Sequence, residues 1–319
     1  MNDTTWAMKR NRSCLLLRSS SRELRRLPCS ATCVVCPGVQ DRDTTEGIAD
    51  RDPAASRTLN AVILGAQRCG TTSFAQLLDT HPDVCLARGK EAHWFDDAQV
   101  QRDGVSTERW ANRFSHYAGQ PVLLDATPSY LYLPGCIEAL YRHNPNLKVI
   151  AVLRDPAERA RSQYAHERQR GVETGRYWQA LQLESRRLAA DRNPLAPNSP
   201  ARVSSFRDRG RYSRQIGRLL EWFPDALVLR FDELVNESAT TAQRVTEHLG
   251  VTPFPSPVTL KWLNRRRLSR PLSPLDALVR RSFRADMRAT EDLLGWQRGS
   301  LASARLGRRS LRRPAGDAG

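Results

Sequence analysis

Short apolar runs alternate with amphipathic segments from residue 59 to residue 249. The apolar runs are typical of buried strands and the amphipathic segments are typical of helices, with proline or glycine at many of the boundaries. Strands are predicted within 59–65, 83–87, 121–131, 147–156 and 225–234; the third runs into a loop that contains Pro128, and Asp155 and Pro156 close the fourth. Helices are predicted at about 71–80, 107–118, 136–144, 157–170, 174–190, 211–222 and 239–249. This order predicts an α/β fold with a central parallel sheet flanked by helices on both faces.

Parallel sheets of this kind bind ligands beyond the carboxyl ends of their strands. The loops that follow predicted strands at that edge are 65–72, 88–96, 125–131 and 154–162. The loop at 191–203 is rich in Pro, Asn and Ser and is long enough to act as a lid on the substrate side.

The two ends of the chain lack this periodicity. Residues 1–57 are rich in Arg, Ser, Thr and Asp and are predicted to be a disordered extension, and residues 298–319 a disordered basic tail. No apolar run approaches the ~20 residues that cross a bilayer, so we expect no transmembrane segment. The seven cysteines have no framework spacing, which favours a reducing compartment and predicts a cytoplasmic location.

The formal net charge of +16 favours an anionic ligand, nucleic acid or an acidic surface. Arginine supplies most of the cations, so genomic base composition explains the excess as well as function does. Many of the arginines, at 9–26, 265–288 and 298–313, are expected to lie outside the core. Cys29, Cys33 and Cys36 are candidate zinc ligands, but no histidine or second cysteine pair lies near them, so we predict no metal site.

The segment AVILGAQRCGTTSF (61–74) has the order of a phosphate-binding loop: a buried strand, a glycine-bounded turn and a helix start. Gly65 and Gly70 allow main-chain N–H groups to approach a ligand closely, and the dipole of the following helix favours an anion there. Thr71 stands where triphosphatases place a lysine, so the loop suits a phosphate or a sulfate better than magnesium-dependent triphosphate hydrolysis. The predicted ligand-binding residues are Arg68, Cys69, Gly70, Thr71, Thr72 and Ser73.

The segment RGKEAHWFDD (88–97) brings several ionisable residues together after a short strand. They are Lys90, Glu91, His93 and Asp96. A carboxylate beside an imidazole and an ammonium can take a proton from an incoming hydroxyl. The same segment taken alone is equally compatible with a solvated charged loop that two aromatic residues anchor.

The segment LRDPAERARSQYAH (153–166) carries a second candidate anion site. Arg154 ends a predicted strand, and Ser162 lies about two turns along the next helix, so the two side chains can hold a phosphate together. Alternatively, Glu158, Arg159 and Arg161 form ion pairs on an ordinary surface helix.

These three segments together resemble the sulfotransferases that use 3′-phosphoadenosine 5′-phosphosulfate (PAPS), most of all the branch with bacterial and heparan sulfate glucosaminyl enzymes. RCGTTSF is similar to the family's K-x-G-T-x-x-L loop for the 5′-phosphosulfate, KEAHWFD to its base-carrying segment, and LRDPAERARSQY to its 3′-phosphate segment. DATPSYL is similar to the T-P-x-Y segment near the acceptor, and GRYSRQIGRLLEWFP with ALVLRFDEL to a later helix–strand unit. The resemblance covers about residues 59–272.

The resemblance implies a P-loop-like three-layer fold with a sulfotransferase domain at 58–297. It implies transfer of a sulfuryl group from PAPS to a hydroxyl or amine of a glycan or small-metabolite acceptor, with no metal. Glu91 is then the general base, His93 and Lys90 orient it or stabilise the transferred group, Asp96 fixes His93, and Arg68 stabilises the phosphosulfate.

The resemblance also assigns the nucleotide contacts. Arg154 and Ser162 are expected to hold the 3′-phosphate, and Tyr212 is expected to contact the nucleotide. Apart from the resemblance, the basic segment KWLNRRRLSRP (261–271) is expected to close over the nucleotide, with Lys261 and Arg270 as the candidate contacts.

Three positions depart from the family pattern. Arg68 replaces the usual lysine; it keeps the charge but is a poor proton donor, so help to the leaving group must be electrostatic. Phe74 replaces a leucine, which changes only packing. Ala126 stands where some relatives have a lysine, which bears on the acceptor contacts more than on the reaction.

Two other functions compete with this one. A small-molecule kinase with a P-loop needs a lysine after Gly70, which is absent, and an acidic magnesium ligand, for which Asp125 is the candidate. A nucleic-acid binder would use the arginine-rich ends, but no recognition helix or stacking platform supports it, so no nucleic-acid partner is predicted.

Overall fold

The computed structural model describes residues 58–256, 258 and 274–302. In this part of the chain a five-stranded sheet has the order β2-β3-β1-β4-β5, and every pair of neighbours is parallel. The strands are β1 (Ala61–Gly65), β2 (Val84–Leu86), β3 (Val122–Asp125), β4 (Lys148–Leu153) and β5 (Leu227–Arg230). The predicted parallel α/β sheet is confirmed.

Helices connect the strands and continue beyond the sheet. They are α1 (Thr71–Leu78), α2 (Ala98–Asp103), α3 (Thr107–Phe114), α4 (Cys136–His143), α5 (Pro156–Gln169), α6 (Tyr177–Ala189), α7 (Pro200–Val203), α8 (Tyr212–Trp222), α9 (Phe231–Asn236), α10 (Ser238–Leu249), α11 (Pro274–Ser282) and α12 (Arg284–Leu293). Among the described helices, none is both long and apolar enough to cross a bilayer.

The central strand β1 lies between β3 and β4 and is buried along its whole length. Ala61 pairs with Leu124 on one side and with Lys148 on the other. A parallel strand covered on both faces reads as a continuous apolar run, as AVIL does here. The loops after β1, β2, β3 and β4 therefore leave the sheet at one edge, where the sequence predicted the site.

The predicted strand at 225–234 was too long, because β5 ends at Arg230 and a helix, α9, begins at Phe231. The side chain of Glu233 accepts a hydrogen bond from the Arg230 amide at 3.2 Å, which caps the start of α9. Asp232 and Glu233 also favour a helix start, because their negative charges lie at the positive end of the helix dipole.

The described arginines of the stretch 265–288 lie outside the core as expected, since Arg280 is half-buried and Arg281, Arg284 and Arg288 are exposed, but apolar residues among them belong to the core. Val279 of α11, Phe283 between the two helices and Met287 of α12 are buried, and α12 packs against α8. The described chain continues to residue 302, past the predicted tail boundary at 297, and Leu301 is buried. The high arginine content obscured the apolar pattern in the sequence, because only one side of each helix is apolar and faces the core.

Candidate active site

The loop between β1 and α1 has the backbone geometry of an anion site. Gly70, the residue before α1, has a φ of 81°, which glycine adopts without strain. Gly65 leaves no room for a side chain, since a Cβ there would lie 2.6 Å from the Cβ of Leu131. The first amides of α1 have no acceptor inside the helix, so the start of this helix can donate hydrogen bonds to an anion.

Arg68 connects this loop to α5. Its Nε donates a hydrogen bond to the Oγ of Ser162 at 3.2 Å, so two residues predicted to bind different parts of one ligand are in contact. Arg68 has a φ of 70°, in the left-handed region that a non-glycine residue rarely adopts. The surrounding structure must therefore hold this residue in place, as is common at binding sites.

The remaining predicted loop residues differ in their access to a ligand. Thr72 is half-buried, while Thr71 and Ser73 are buried at the start of α1. Cys69 is fully buried, and its amide donates to the carbonyl of Ala66 at 3.2 Å. Burial raises the pKa of its thiol, against the effect of Arg159 and Arg154. The Cys69 amide is thus engaged within the loop, and its thiol lies 3.9 Å from the Tyr212 hydroxyl.

The candidate base sits in a row of alternating charges in the loop after β2. Lys90 Nζ lies 2.7 Å from one oxygen of Glu91, and His93 Nε2 lies 3.2 Å from the other. His93 Nδ1 lies 2.9 Å from Asp96 Oδ2. Both nitrogens of the imidazole ring therefore face carboxylates, which favours the doubly protonated, positively charged ring.

The pKa values follow from these contacts. Hydrogen bonds to Asp96 and Glu91 raise the pKa of His93 to about 9, although burial opposes the shift. Burial by itself would raise the pKa of Glu91, but the bonds from His93 and Lys90 lower it to about 2. For Asp96 burial is likewise outweighed, by His93, Ser129 and Arg202, and its pKa falls to about 2. At neutral pH Glu91 is therefore ionised and His93 is protonated.

The segment after β3 holds this loop in place. Three of its side chains accept hydrogen bonds from main-chain amides of the loop: Asp125 Oδ1 from Ala92 at 3.0 Å, Thr127 Oγ1 from His93 at 3.4 Å and the Tyr130 hydroxyl from Trp94 at 2.9 Å. A fourth, Ser129, donates through Oγ to the Asp96 carboxylate at 2.6 Å. Lys90 and His93 have φ values of 66° and 53°, so these bonds stabilise a strained backbone. Thr127, Ser129 and Tyr130 of the TPSY segment thus support the loop that carries the candidate base.

Asp125 is the residue that a kinase would use to bind magnesium. It is fully buried, and its carboxylate accepts hydrogen bonds from the Ala92 amide and from Thr127. Burial raises its pKa. Through these contacts Asp125 stabilises the loop after β2 that carries Glu91.

Arg202 on α7 is a site residue that the sequence analysis missed. Its Nη1 donates to Asp96 Oδ2 at 2.7 Å and its Nη2 to the Asp96 carbonyl at 2.7 Å. The predicted lid loop, 191–203, ends in α7, and Arg202 of this helix connects it to Asp96 of the charged row. No local signal identifies this contact, because the two residues are 106 positions apart in the chain.

Arg209 was also missed, and it connects α7 to the loop after β1. It is 1 % exposed and donates hydrogen bonds to Gln67 Oε1 and, at 2.7 Å, to the Ala201 carbonyl. Its guanidinium lies 4.6 Å from the ring centre of Tyr132. Burial and the neighbouring charge of Arg159 lower its pKa to about 9.

The candidate 3′-phosphate residues lie at the end of β4. Arg154 Nη2 lies 2.9 Å from Glu158 Oε2, and the hydroxyl of the fully buried Tyr212 donates to the Arg154 carbonyl at 3.1 Å. Tyr212 thus supports the main chain under Arg154. Lys261 and Arg270 lie outside the described residues.

The surface-helix interpretation of α5 was wrong for Arg159. That side chain is fully buried and donates to Gln163 at 2.9 Å and to the Phe206 carbonyl. Arg161 does form an ion pair, with Asp276 of α11 at 3.0 Å.

The parallel sheet, the glycine-bounded anion loop after β1 and the charged row in the loop after β2 define an α/β protein of the P-loop-like class. A family model described as the sulfotransferase domain matches residues 60–262, so the chain belongs to the sulfotransferase family, as predicted.

Individual relatives are distant. Human heparan sulfate glucosamine 3-O-sulfotransferase 5 is 25 % identical over 195 residues, which are 60 % of this chain and 54 % of that protein. Human heparan sulfate glucosamine 3-O-sulfotransferase 6 is 29 % identical over 201 residues, 62 % and 54 % of the two chains. This chain thus spans about half the length of the curated relatives it matches.

Among solved structures, a sulfotransferase from Alicyclobacillus acidocaldarius shares the fold. It superposes with a TM-score of 0.62 at 24 % identity, over 76 % of this chain and 97 % of that one.

Proposed function

We propose that this chain transfers a sulfuryl group from PAPS to a hydroxyl or amine of an acceptor, and we favour a glycan as the acceptor class. The contact of Arg68 with Ser162, at 3.2 Å, carries the proposal. It joins the anion loop after β1 to the helix after β4, at the sheet edge that also carries the row of Lys90, Glu91 and His93.

The residues present fit the two anionic groups of PAPS, which supplies the sulfuryl group when bound. The amides that open α1 and the guanidinium of Arg68 suit the 5′-phosphosulfate. Arg154 and Ser162 suit the 3′-phosphate, because arginine binds phosphate through paired N–H groups. A subsite for that phosphate selects PAPS over ATP. Arg68 stays charged at neutral pH, so it stabilises charge on the departing phosphate without giving up a proton.

Glu91 takes the proton from the acceptor in this proposal. Its carboxylate is ionised at neutral pH, but with a pKa of about 2 it is a weak base while Lys90 and His93 both hold it. Lys90 Nζ can instead donate to the sulfuryl oxygens. Glu91 then loses one cation and its pKa rises, so its basicity increases when the donor is in place.

His93 and Asp96 orient Glu91. The imidazolium donates to Glu91 through Nε2 and to Asp96 through Nδ1, which fixes the ring between two carboxylates. Positioning of this kind, together with stabilisation of the transferred charge, is the main contribution that a protein makes to transfer of such a group.

The kinase alternative is disfavoured by two residues. Thr71 occupies the position of the triphosphate-binding lysine, and Asp125 is buried beneath the loop of Glu91.

The preference for a glycan comes from relatives whose names describe heparan sulfate glucosamine sulfotransferases. Ala126 carries no charge and is fully buried, so it does not replace the contact that a lysine there could make with such an acceptor. The predicted cytoplasmic location and the predicted independence from metal stay predictions.

Sulfuryl transfer from radiolabelled PAPS to a mixture of glycan acceptors tests the proposal. Glu91→Gln should lower the turnover at least about 100-fold, because it removes the base but keeps the shape. Glu108→Gln, an exposed position on α3, is the matched control and should be as active as the wild type. Full activity in Glu91→Gln would refute the assignment of the base.

Nucleotide binding separates the proposal from the kinase alternative. We expect adenosine 3′,5′-bisphosphate to raise the melting temperature of the protein and Mg-ATP to leave it unchanged. Stabilisation by Mg-ATP alone would favour the kinase.

A further inference from the structure

Arg154 and Glu158 form an ion pair at the carboxyl end of β4. Both Nε and Nη2 of the guanidinium face Glu158 Oε2, at 3.3 Å and 2.9 Å. The guanidinium also lies over the ring of Phe231, with its carbon 4.6 Å from the ring centre. Neighbouring N–H groups of one guanidinium edge are those that bind a phosphate in a bidentate manner. The carboxylate of Glu158 therefore occupies the edge of Arg154 that a phosphate would use.

A second arginine lies within reach of Glu158. Arg280 Nη2, on α11, is 3.8 Å from Glu158 Oε1 and 3.0 Å from Asp155 Oδ2. Glu158 can therefore pair with Arg280 if Arg154 binds another partner. The Glu158 side chain is 29 % exposed, which leaves it room to rotate.

The surroundings of Arg154 contain more than one carboxylate. Asp232 on α9 has a raised pKa, because of burial first and then because of the negative charges of Glu158 and Asp155. A phosphate that arrives at Arg154 therefore meets like charges as well as the guanidinium, and the nearest carboxylate is the one that pairs with Arg154.

We propose that Glu158 is a built-in competitor of the 3′-phosphate for Arg154. The carboxylate holds Arg154 in the free protein, turns toward Arg280 when the phosphate binds, and repels the bound phosphate from there. It thereby weakens binding of the desulfated nucleotide and speeds its release. This inference rests on the proposed function, since it takes Arg154 as the ligand of the 3′-phosphate.

Calorimetry of the full chain with adenosine 3′,5′-bisphosphate tests the role of Glu158. Glu158→Gln keeps the size of the side chain but removes its charge, and it should bind this nucleotide about tenfold more tightly, because one unit charge a few ångströms from a phosphate is lost. Adenosine 5′-phosphate lacks the 3′-phosphate, and its affinity should be the same for both proteins.

A matched control variant is Glu233→Gln. Glu233 is the third residue of α9, as Glu158 is of α5, and it pairs with Arg230 and Arg244. This variant removes the same charge from a neighbouring helix and should leave the affinity for the bisphosphate unchanged.

The outcomes separate the inference from the function it rests on. If the wild type binds the bisphosphate and Glu158→Gln binds it equally or more weakly, the inference is overturned and the proposed function stands. Equal tightening of both nucleotides, or equal tightening by Glu233→Gln, also overturns it, because the effect is then one of overall charge. If neither the wild type nor the variant binds the bisphosphate, both the inference and the proposed function fall.

Discussion

Asp96→Asn should destabilise the protein by removing the charge that holds the row together. The Asp96 side chain is 1 % exposed and accepts hydrogen bonds from Ser129 at 2.6 Å and from Arg202 at 2.7 Å, and it pairs with His93. Its pKa falls from 3.8 to about 2. One pKa unit corresponds to ~1.4 kcal/mol, so the carboxylate contributes about 2 kcal/mol to the free energy of unfolding at pH 7.

The sign of the pH dependence follows from the direction of the shift. The pKa of Asp96 is lower in the folded than in the unfolded chain, so its contribution is fully present above the unfolded pKa of ~3.9 and is lost as the pH falls toward 2. The stability difference between wild type and Asp96→Asn should therefore shrink to about half at pH 3. His93 acts in the opposite direction: its pKa is raised to about 9, so the stability that its charge contributes disappears as the pH rises through that value.

Urea unfolding at pH 7 and pH 3 measures the difference, and the NMR titration of His93 provides a second readout. The His93 pKa should fall in Asp96→Asn, because one of its two carboxylate partners becomes neutral. Asp97→Asn is the control: Asp97 is more exposed and pairs with Arg109, and its replacement should change stability by less than about 1 kcal/mol. Equal stability of Asp96→Asn and wild type at pH 7, with an unchanged His93 pKa, would refute the argument.

Three further substitutions, two of them with a control variant, test the fold and its connections by urea unfolding. Phe283→Ala should lower the free energy of unfolding by about 3–5 kcal/mol, because it empties a fully buried position of the C-terminal helices; an unchanged midpoint would mean that these helices do not share the core. Gly65→Ala should cost at least about 1–3 kcal/mol, because its Cβ would lie 2.6 Å from a neighbouring side-chain carbon. Gly217→Ala, where nothing lies within 4 Å, should instead be neutral or stabilising, and equal losses at the two glycines would contradict the steric reason. Arg202→Met should destabilise by about 3 kcal/mol, since it leaves Asp96 without one of its cations, whereas Arg214→Met, at a side chain that is 73 % exposed, should have almost no effect.

Much of the fold could be predicted because its signals are local. β1, the turn at Gly70 and the start of α1 lie within one short stretch, and glycine, proline and apolar spacing mark each boundary. The row from Lys90 to Asp96 is also local, so proximity along the chain already implied proximity in space. The predictions of secondary structure were wrong or missing in two charged segments. The acidic first turn of α9 was predicted to be the end of a strand, and no helix was predicted for α12, which lies in an arginine-rich stretch.

The strand–turn–helix unit, the parallel sheet and the edge at which the charged residues gather follow from local sequence patterns, because periodicity and turn chemistry act over a few residues. The partner of several charged side chains depends instead on contacts between residues that are distant in the chain. Arg202 contacts Asp96 and Arg209 contacts Gln67 from more than a hundred positions away. Glu158, one turn from Arg154, pairs with it in a geometry that side-chain packing over Phe231 selects. Many arginines in this chain could satisfy a given carboxylate, and the choice depends on which helix brings an arginine within reach, as α7 does for Arg202 and α11 for Arg280.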